Sequence, residues 1–104
     1  MSHGFHAWVY MLRCSDGSFY VGSHRGEEVY ERISQHMEGH GSDYTKRRLP
    51  VELIWAEGFT LIIDAIAAER RIKGWSRAKK IALIDRDYER ISLLAKRRGG
   101  KALS

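Results

Sequence analysis

Glu69 stands where the sequence least accounts for a charge. Leu61, Ile62, Ala65, Ile66, Ala68 and Ile72 fill one broad face of a helical wheel. At about 100° per residue Glu69 lies inside that face, about 20° from Ile62 and about 40° from Ala65. A carboxylate there is costly unless it is paired, hydrogen-bonded or bound to metal. An ion pair with a basic residue of the first helix, or a place at the rim of the stripe, would account for it as well as a metal would. Arg32 and His36, in YERISQH, have the i, i+4 spacing that sets two side chains on one helix edge. An arginine fork suits a non-bridging phosphate oxygen, and a histidine can donate to a phosphate or shuttle a proton. The plainer alternative is a surface arginine and a half-buried histidine. Tyr10 and Tyr20 sit in β-like runs, where tyrosine is simply a good strand residue. A free tyrosine is about 0.1% ionised at pH 7, so base chemistry would need a neighbouring cation or metal-activated water.

Other chemistries are excluded. Gly22 to Gly26 has the wrong spacing for a phosphate loop, and there is no serine nucleophile elbow. His3, His6, His24 and His40 show no ligand spacing. Cys14 is the single cysteine, which rules out an intrachain disulfide and a multi-cysteine zinc site; without a histidine partner it is expected to be inert. The charge balance is more informative. Eighteen Lys and Arg against thirteen Asp and Glu give +5. They cluster at Lys46-Arg47-Arg48, at Arg70-Arg71-Lys73-Arg77-Lys79-Lys80 and at Lys96-Arg97-Arg98-Lys101. Such clusters fit a polyanion partner or a well-solvated surface.

The elements that must position these residues can be read in outline. With 104 residues, 43% hydrophobic and 30% charged, the chain suits one globular domain. Its core is expected over about 7–95, with 96–104 a basic, frayed tail. No apolar run approaches a membrane span, and Met1-Ser2-His3-Gly4 lacks a secretory layout, so a cytoplasmic monomer is the default expectation. Strand-like runs over His6–Arg13 and Ser18–His24 flank Ser15-Asp16-Gly17, a hairpin signal. A two-residue loop would put Tyr10 and Tyr20 on opposite faces. A three-residue loop with Gly17 left-handed pairs Tyr10 with Gly22 and Leu12 with Tyr20, so that all four share a face; this is the expected hairpin. A first helix is expected over Glu28–Glu38 with Val29, Ile33 and Met37 buried, then a loop from Gly39 to Pro50 and a third strand over Val51–Trp55. Helices follow from a Thr60 cap to about Gly74, from a Ser76 cap to Ile84, and over Asp87–Lys96. The order β-β-α-β-α-α-α predicts an α+β fold, a small and mainly antiparallel three-stranded sheet flanked by helices.

In this order the pieces resemble the GIY-YIG nuclease superfamily, in its compact single-domain branch. Trp8-Val9-Tyr10, within WVYMLRCSDGSFYVG, matches the first motif and Tyr20-Val21-Gly22 the second. YERISQH, DYTKRRLPVELIWAE and AERRIKGWSRAKK follow, and the resemblance runs from about Ala7 to Ala95. It departs in having Trp8-Val9 for the Gly-Ile of the first motif and a segment SHRGEEVYE about two residues longer than in many members. The resemblance implies a metal-dependent endonuclease. Tyr10 would orient or deprotonate water, Tyr20 would contact that water or the phosphate, and Gly22 would let substrate approach. Arg32 would neutralise phosphoryl charge, His36 matches a histidine common in the family, and Glu69 would be the lone protein ligand of Mg²⁺ or Mn²⁺. DNA, in repair or recombination, is the expected partner. Gly22, Lys46, Arg47, Arg48, Arg70, Lys73 and Arg77 are its expected contacts. A module of the same fold that binds nucleic acid with little turnover is the alternative.

Overall fold

The computed structural model describes residues 4–103, with side chains described through 96. The chain divides into two compact units between Lys73 and Gly74. The first holds β1 (Ala7–Arg13), β2 (Phe19–Arg25), α1 (Tyr30–Met37), α2 (Asp43–Lys46), β3 (Glu52–Phe59) and α3 (Ile62–Lys73). The second holds α4 (Arg77–Ile84) and α5 (Tyr88–Leu103). The sheet has the order β2-β1-β3 with both pairings antiparallel, which is the expected α+β architecture. No helix among the described residues is long and apolar enough to cross a membrane.

The hairpin sets the rest. Cys14 N donates to Ser18 O at 2.9 Å, which leaves a three-residue loop, Ser15-Asp16-Gly17. Gly17 takes φ 84°, a left-handed conformation in which a Cβ would be strained. Asp16 Oδ1 braces the turn by accepting from the Ser18 amide at 3.0 Å and its hydroxyl at 2.6 Å. The register that follows pairs Tyr10 with Gly22 and Leu12 with Tyr20, as the loop length required.

As the central strand, β1 is covered on both faces. On one face Tyr10 and Leu12 pack with Cys14, Val29, Ile33 and Val51, with Trp8, Tyr20, Leu53 and Ala56 at the margin. On the other, Val9 and Met11 are fully buried, and α3 lies across all three strands. Its buried residues, Ala65, Ala68 and Ile72, are mostly small, which lets the helix lie close to the sheet.

Three local expectations change. The buried stripe of α1 is Val29, Ile33 and His36, while Met37 is exposed. On the wheel His36 lies about 20° from Val29 and Met37 about 80°, so geometry favours the histidine once its ring nitrogens are bonded. The Gly39 to Pro50 loop contains a helical turn, α2, begun by Ser42, whose hydroxyl accepts from Thr45 N at 3.2 Å. β3 runs on to Phe59 and bulges, because Met11 pairs with Trp55 but Leu12 with Leu53. Skipping Ile54 sends Leu53 and Trp55 to opposite faces, where plain alternation had placed them together. In the second unit Ser76 caps α4 as expected, accepting from Lys79 N at 3.2 Å. Asp87 accepts from Arg90 N at 3.0 Å at the start of α5, which continues beyond Lys96.

Candidate active site

Tyr10 is buried beneath β2 at the position where Gly22 replaces a side chain. A Cβ on Gly22 would stand 2.5 Å from Tyr10 Oη and 2.9 Å from Tyr20 Cε2. Only glycine therefore allows the two rings to meet there. The Tyr10 hydroxyl lies 2.8 Å from His36 Nε2. Burial pushes the phenol up to about 12, against the pull of the Arg32 guanidinium; Tyr20 and the Glu69 carboxylate push it further up. Arg32 and Glu69 thus both act electrostatically on one hydroxyl.

His36 is fully buried, with its second nitrogen, Nδ1, 2.8 Å from Thr45 Oγ1. Burial, with Arg32 beside it, lowers its pKa to about 4, so the ring is neutral at pH 7. Arg32 is half-buried on the same helix. It donates through Nη1 to Gln35 Oε1 and through Nη2 to the Gly41 carbonyl, both at 2.9 Å. Gly41 is also where the backbone presses on His36, since any side chain there would overlap the imidazole.

Tyr20 is half-buried and closes an aromatic group. Its ring centroid is 6.4 Å from that of Tyr10 and 5.2 Å from that of His36. On its outer side it stacks on Tyr44 at 6.0 Å. Arg48 covers the Tyr44 ring at 3.8 Å, bridges to Asp16 at 3.0 Å and donates to the Tyr44 carbonyl. Arg48 is therefore already committed within the fold, whereas Lys46 and Arg47 are exposed on the same segment.

Glu69 reaches the sheet from α3. Its Oε1 accepts from Ser23 Oγ at 2.7 Å, and its Oε2 lies 2.7 Å from Lys73 Nζ. The partner is thus one turn along the same helix, not a basic residue of α1. Burial would raise its pKa, but the hydrogen bonds from Lys73 and Ser23 and the charges of Lys73 and Arg70 outweigh it and hold the carboxylate below its ordinary range. Its side chain is 17% exposed and that of Lys73 53%, so the lysine can swing into solvent and leave an anionic oxygen open. Among the described residues no three of His, Cys, Asp or Glu group to hold an ion. A lone carboxylate beside a hydroxyl fits a hard cation that keeps most of its water, as Mg²⁺ does. It does not fit a caged zinc.

The structure thus brings Tyr10, Tyr20, Gly22, Arg32 and His36 together on one face of the sheet. Glu69 meets β2 through Ser23 on the α3 face and reaches the Tyr10 hydroxyl by its charge alone. Arg70 is exposed beside Glu69 on α3, and Arg77 opens α4 in the second unit. Cys14 is buried, which pushes its thiol up and keeps it a poor nucleophile. Ser23, Gly41, Tyr44 and Thr45 were not singled out in the sequence. Only Ser42, a cap ahead of Asp43-Tyr44-Thr45, could have hinted that this stretch is built.

Comparison with known proteins identifies the family and the fold. A family model described as the GIY-YIG catalytic domain matches residues 6–82. A UPF0213 protein of Staphylococcus saprophyticus is 40% identical over 77 residues, which cover 74% of this chain and 92% of that protein. One from Streptococcus pneumoniae is 37% identical over 84 residues, covering 81% and 83%. The solution NMR structure of a UPF0213 protein from Bacillus halodurans aligns with a TM-score of 0.51 at 37% identity, over 76% of this chain and 82% of its own. The two tyrosine motifs on a hairpin, the Arg32 helix and the Glu69 helix fall within the matched span, and the chain belongs to the GIY-YIG nuclease family.

Proposed function

We propose that this chain is an endonuclease that hydrolyses phosphodiester bonds of nucleic acid, with DNA as its polymer and Mg²⁺ or Mn²⁺ held at Glu69. The observation that carries the reading is the 2.8 Å Tyr10–His36 hydrogen bond, with Arg32 on the same helix as His36 and the Glu69 charge acting on the Tyr10 hydroxyl. Glu69 and Ser23 would hold the ion, which supplies Lewis-acid stabilisation of the phosphate and a more acidic water. Arg32 and the half-buried Tyr20 are the groups that meet the phosphodiester, Arg32 by offsetting charge as it builds on the phosphoryl oxygens. Tyr10, 1% exposed, would orient the attacking water through its hydroxyl. That hydroxyl is held in place by donating to His36 Nε2, whose neutral imidazole is the state that accepts the bond.

The test is cleavage of labelled branched and linear DNA by purified protein with and without Mg²⁺ or Mn²⁺. Wild type should cut only with metal, and Glu69→Ala should lower the rate by about 10²–10³. Metal-dependent cutting that survives Glu69→Ala would mean a contaminant or a different site. One observation favours a second reading, a nucleic-acid-binding module with little turnover. Glu69 is already paired with Lys73. That reading predicts a salt-dependent gel shift that Glu69→Ala leaves untouched, with no cutting. We further infer a cytoplasmic monomer acting on damaged or branched DNA, and a single domain spanning both compact units, since the family match at 6–82 runs across Lys73–Gly74.

A further inference from the structure

We infer that Thr45 is a positioning residue that fixes the tautomer of His36, so that Nδ1 carries the proton and Nε2 is left bare to face Tyr10. Thr45 Oγ1 is fully buried and has one hydrogen to give. Its neighbours are the Ser42 carbonyl at 3.3 Å, the Ser42 hydroxyl at 3.0 Å and His36 Nδ1 at 2.8 Å. The Ser42 carbonyl accepts from Thr45 but also takes the Lys46 amide at 2.9 Å, so the order is set from the other side of the ring. The buried Tyr10 hydroxyl must place its hydrogen, and the acceptor facing it, at 2.8 Å, is His36 Nε2. The short contact to Thr45 is then made by an Nδ1–H donating to its hydroxyl.

The surroundings hold this geometry. Ser42 caps α2 and anchors the Thr45 amide, and Gly41 packs its backbone on the imidazole while its carbonyl accepts from Arg32. One short turn thus orients both Arg32 and His36 of α1. That the tautomer matters for turnover rests on the endonuclease reading; the tautomer itself does not.

The experiment is long-range ¹H–¹⁵N NMR of the His36 ring in the full chain at neutral pH. It is run for wild type, Thr45→Ser and Thr45→Val, with cleavage followed in parallel. Wild type and Thr45→Ser should show a protonated Nδ1 and an unprotonated Nε2. Thr45→Val, which keeps the shape but not the hydroxyl, should shift the ring toward Nε2–H and lower kcat by about 10- to 100-fold with KM little changed. Thr45→Ser should restore kcat. An Nε2–H ring in the wild type overturns the proposal without any variant, as does a Thr45→Val ring that stays Nδ1–H. An Nδ1–H ring in an inactive wild type would support the tautomer and refute the endonuclease reading instead.

Discussion

At the scale of single residues the site is built around two buried polar groups, Tyr10 and His36. The burial that holds His36 near pKa 4, with Arg32 adding to it, stands against an ordinary value of 6.5. Between those values the unfolded chain binds a proton that the folded chain refuses. The stabilising contribution is therefore complete above about pH 6.5 and is lost as pH falls through about 4, reaching about 3 kcal/mol. Urea unfolding at pH 7 and pH 4.5 should show that loss, and His36→Asn should flatten much of the slope between them. Gly22 is constrained more directly. Gly22→Ala forces its methyl onto Tyr10 Oη and Tyr20 Cε2, and overpacking of this kind costs about 1–3 kcal/mol. The variant should unfold at lower urea, and a midpoint equal to that of wild type would contradict the packing described.

At the scale of elements, α2 is the smallest and carries the most consequence for its length. Ser42→Ala removes the acceptor for Thr45 N and should cost about 1 kcal/mol by chemical denaturation. Amide exchange should quicken over residues 42–46 before it does in the sheet. Uniform exchange would mean that α2 does not open on its own. This element also marks where the sequence stops being legible. The hairpin could be read because one glycine and a residue count fix its register, and the register alone puts Tyr10, Gly22 and Tyr20 in their places. Glu69 stood out because an acid on an apolar stripe breaks a strong pattern. The bulge at Ile54 and the burial of His36 in place of Met37 left no such mark. A bulge adds one residue without changing composition, and a histidine becomes a core residue only when partners distant in sequence satisfy it. Tyr10 and Thr45, 26 and nine residues away, are visible only once the chain has folded.

At the scale of the whole molecule, the net charge of +5 is what a phosphate polymer would meet first. Lys46 and Arg47 are exposed, whereas Arg48 and Lys73 are tied to Asp16 and Glu69. If Lys46 and Arg47 each neutralise a phosphate of duplex DNA, replacing both by alanine should make the slope of log K against log salt less negative by about 1.8. Affinity should fall alike for all sequences, and an unchanged slope would move the DNA to another face.

The central claim is that Glu69 holds a divalent ion, and Mn²⁺ titration followed by ¹⁵N NMR tests it without relying on turnover. Paramagnetic broadening should centre on Glu69 and Ser23, extend to Tyr10 and Gly22, and vanish in Glu69→Gln. Broadening that leaves this region untouched, or that persists in Glu69→Gln, would contradict the account.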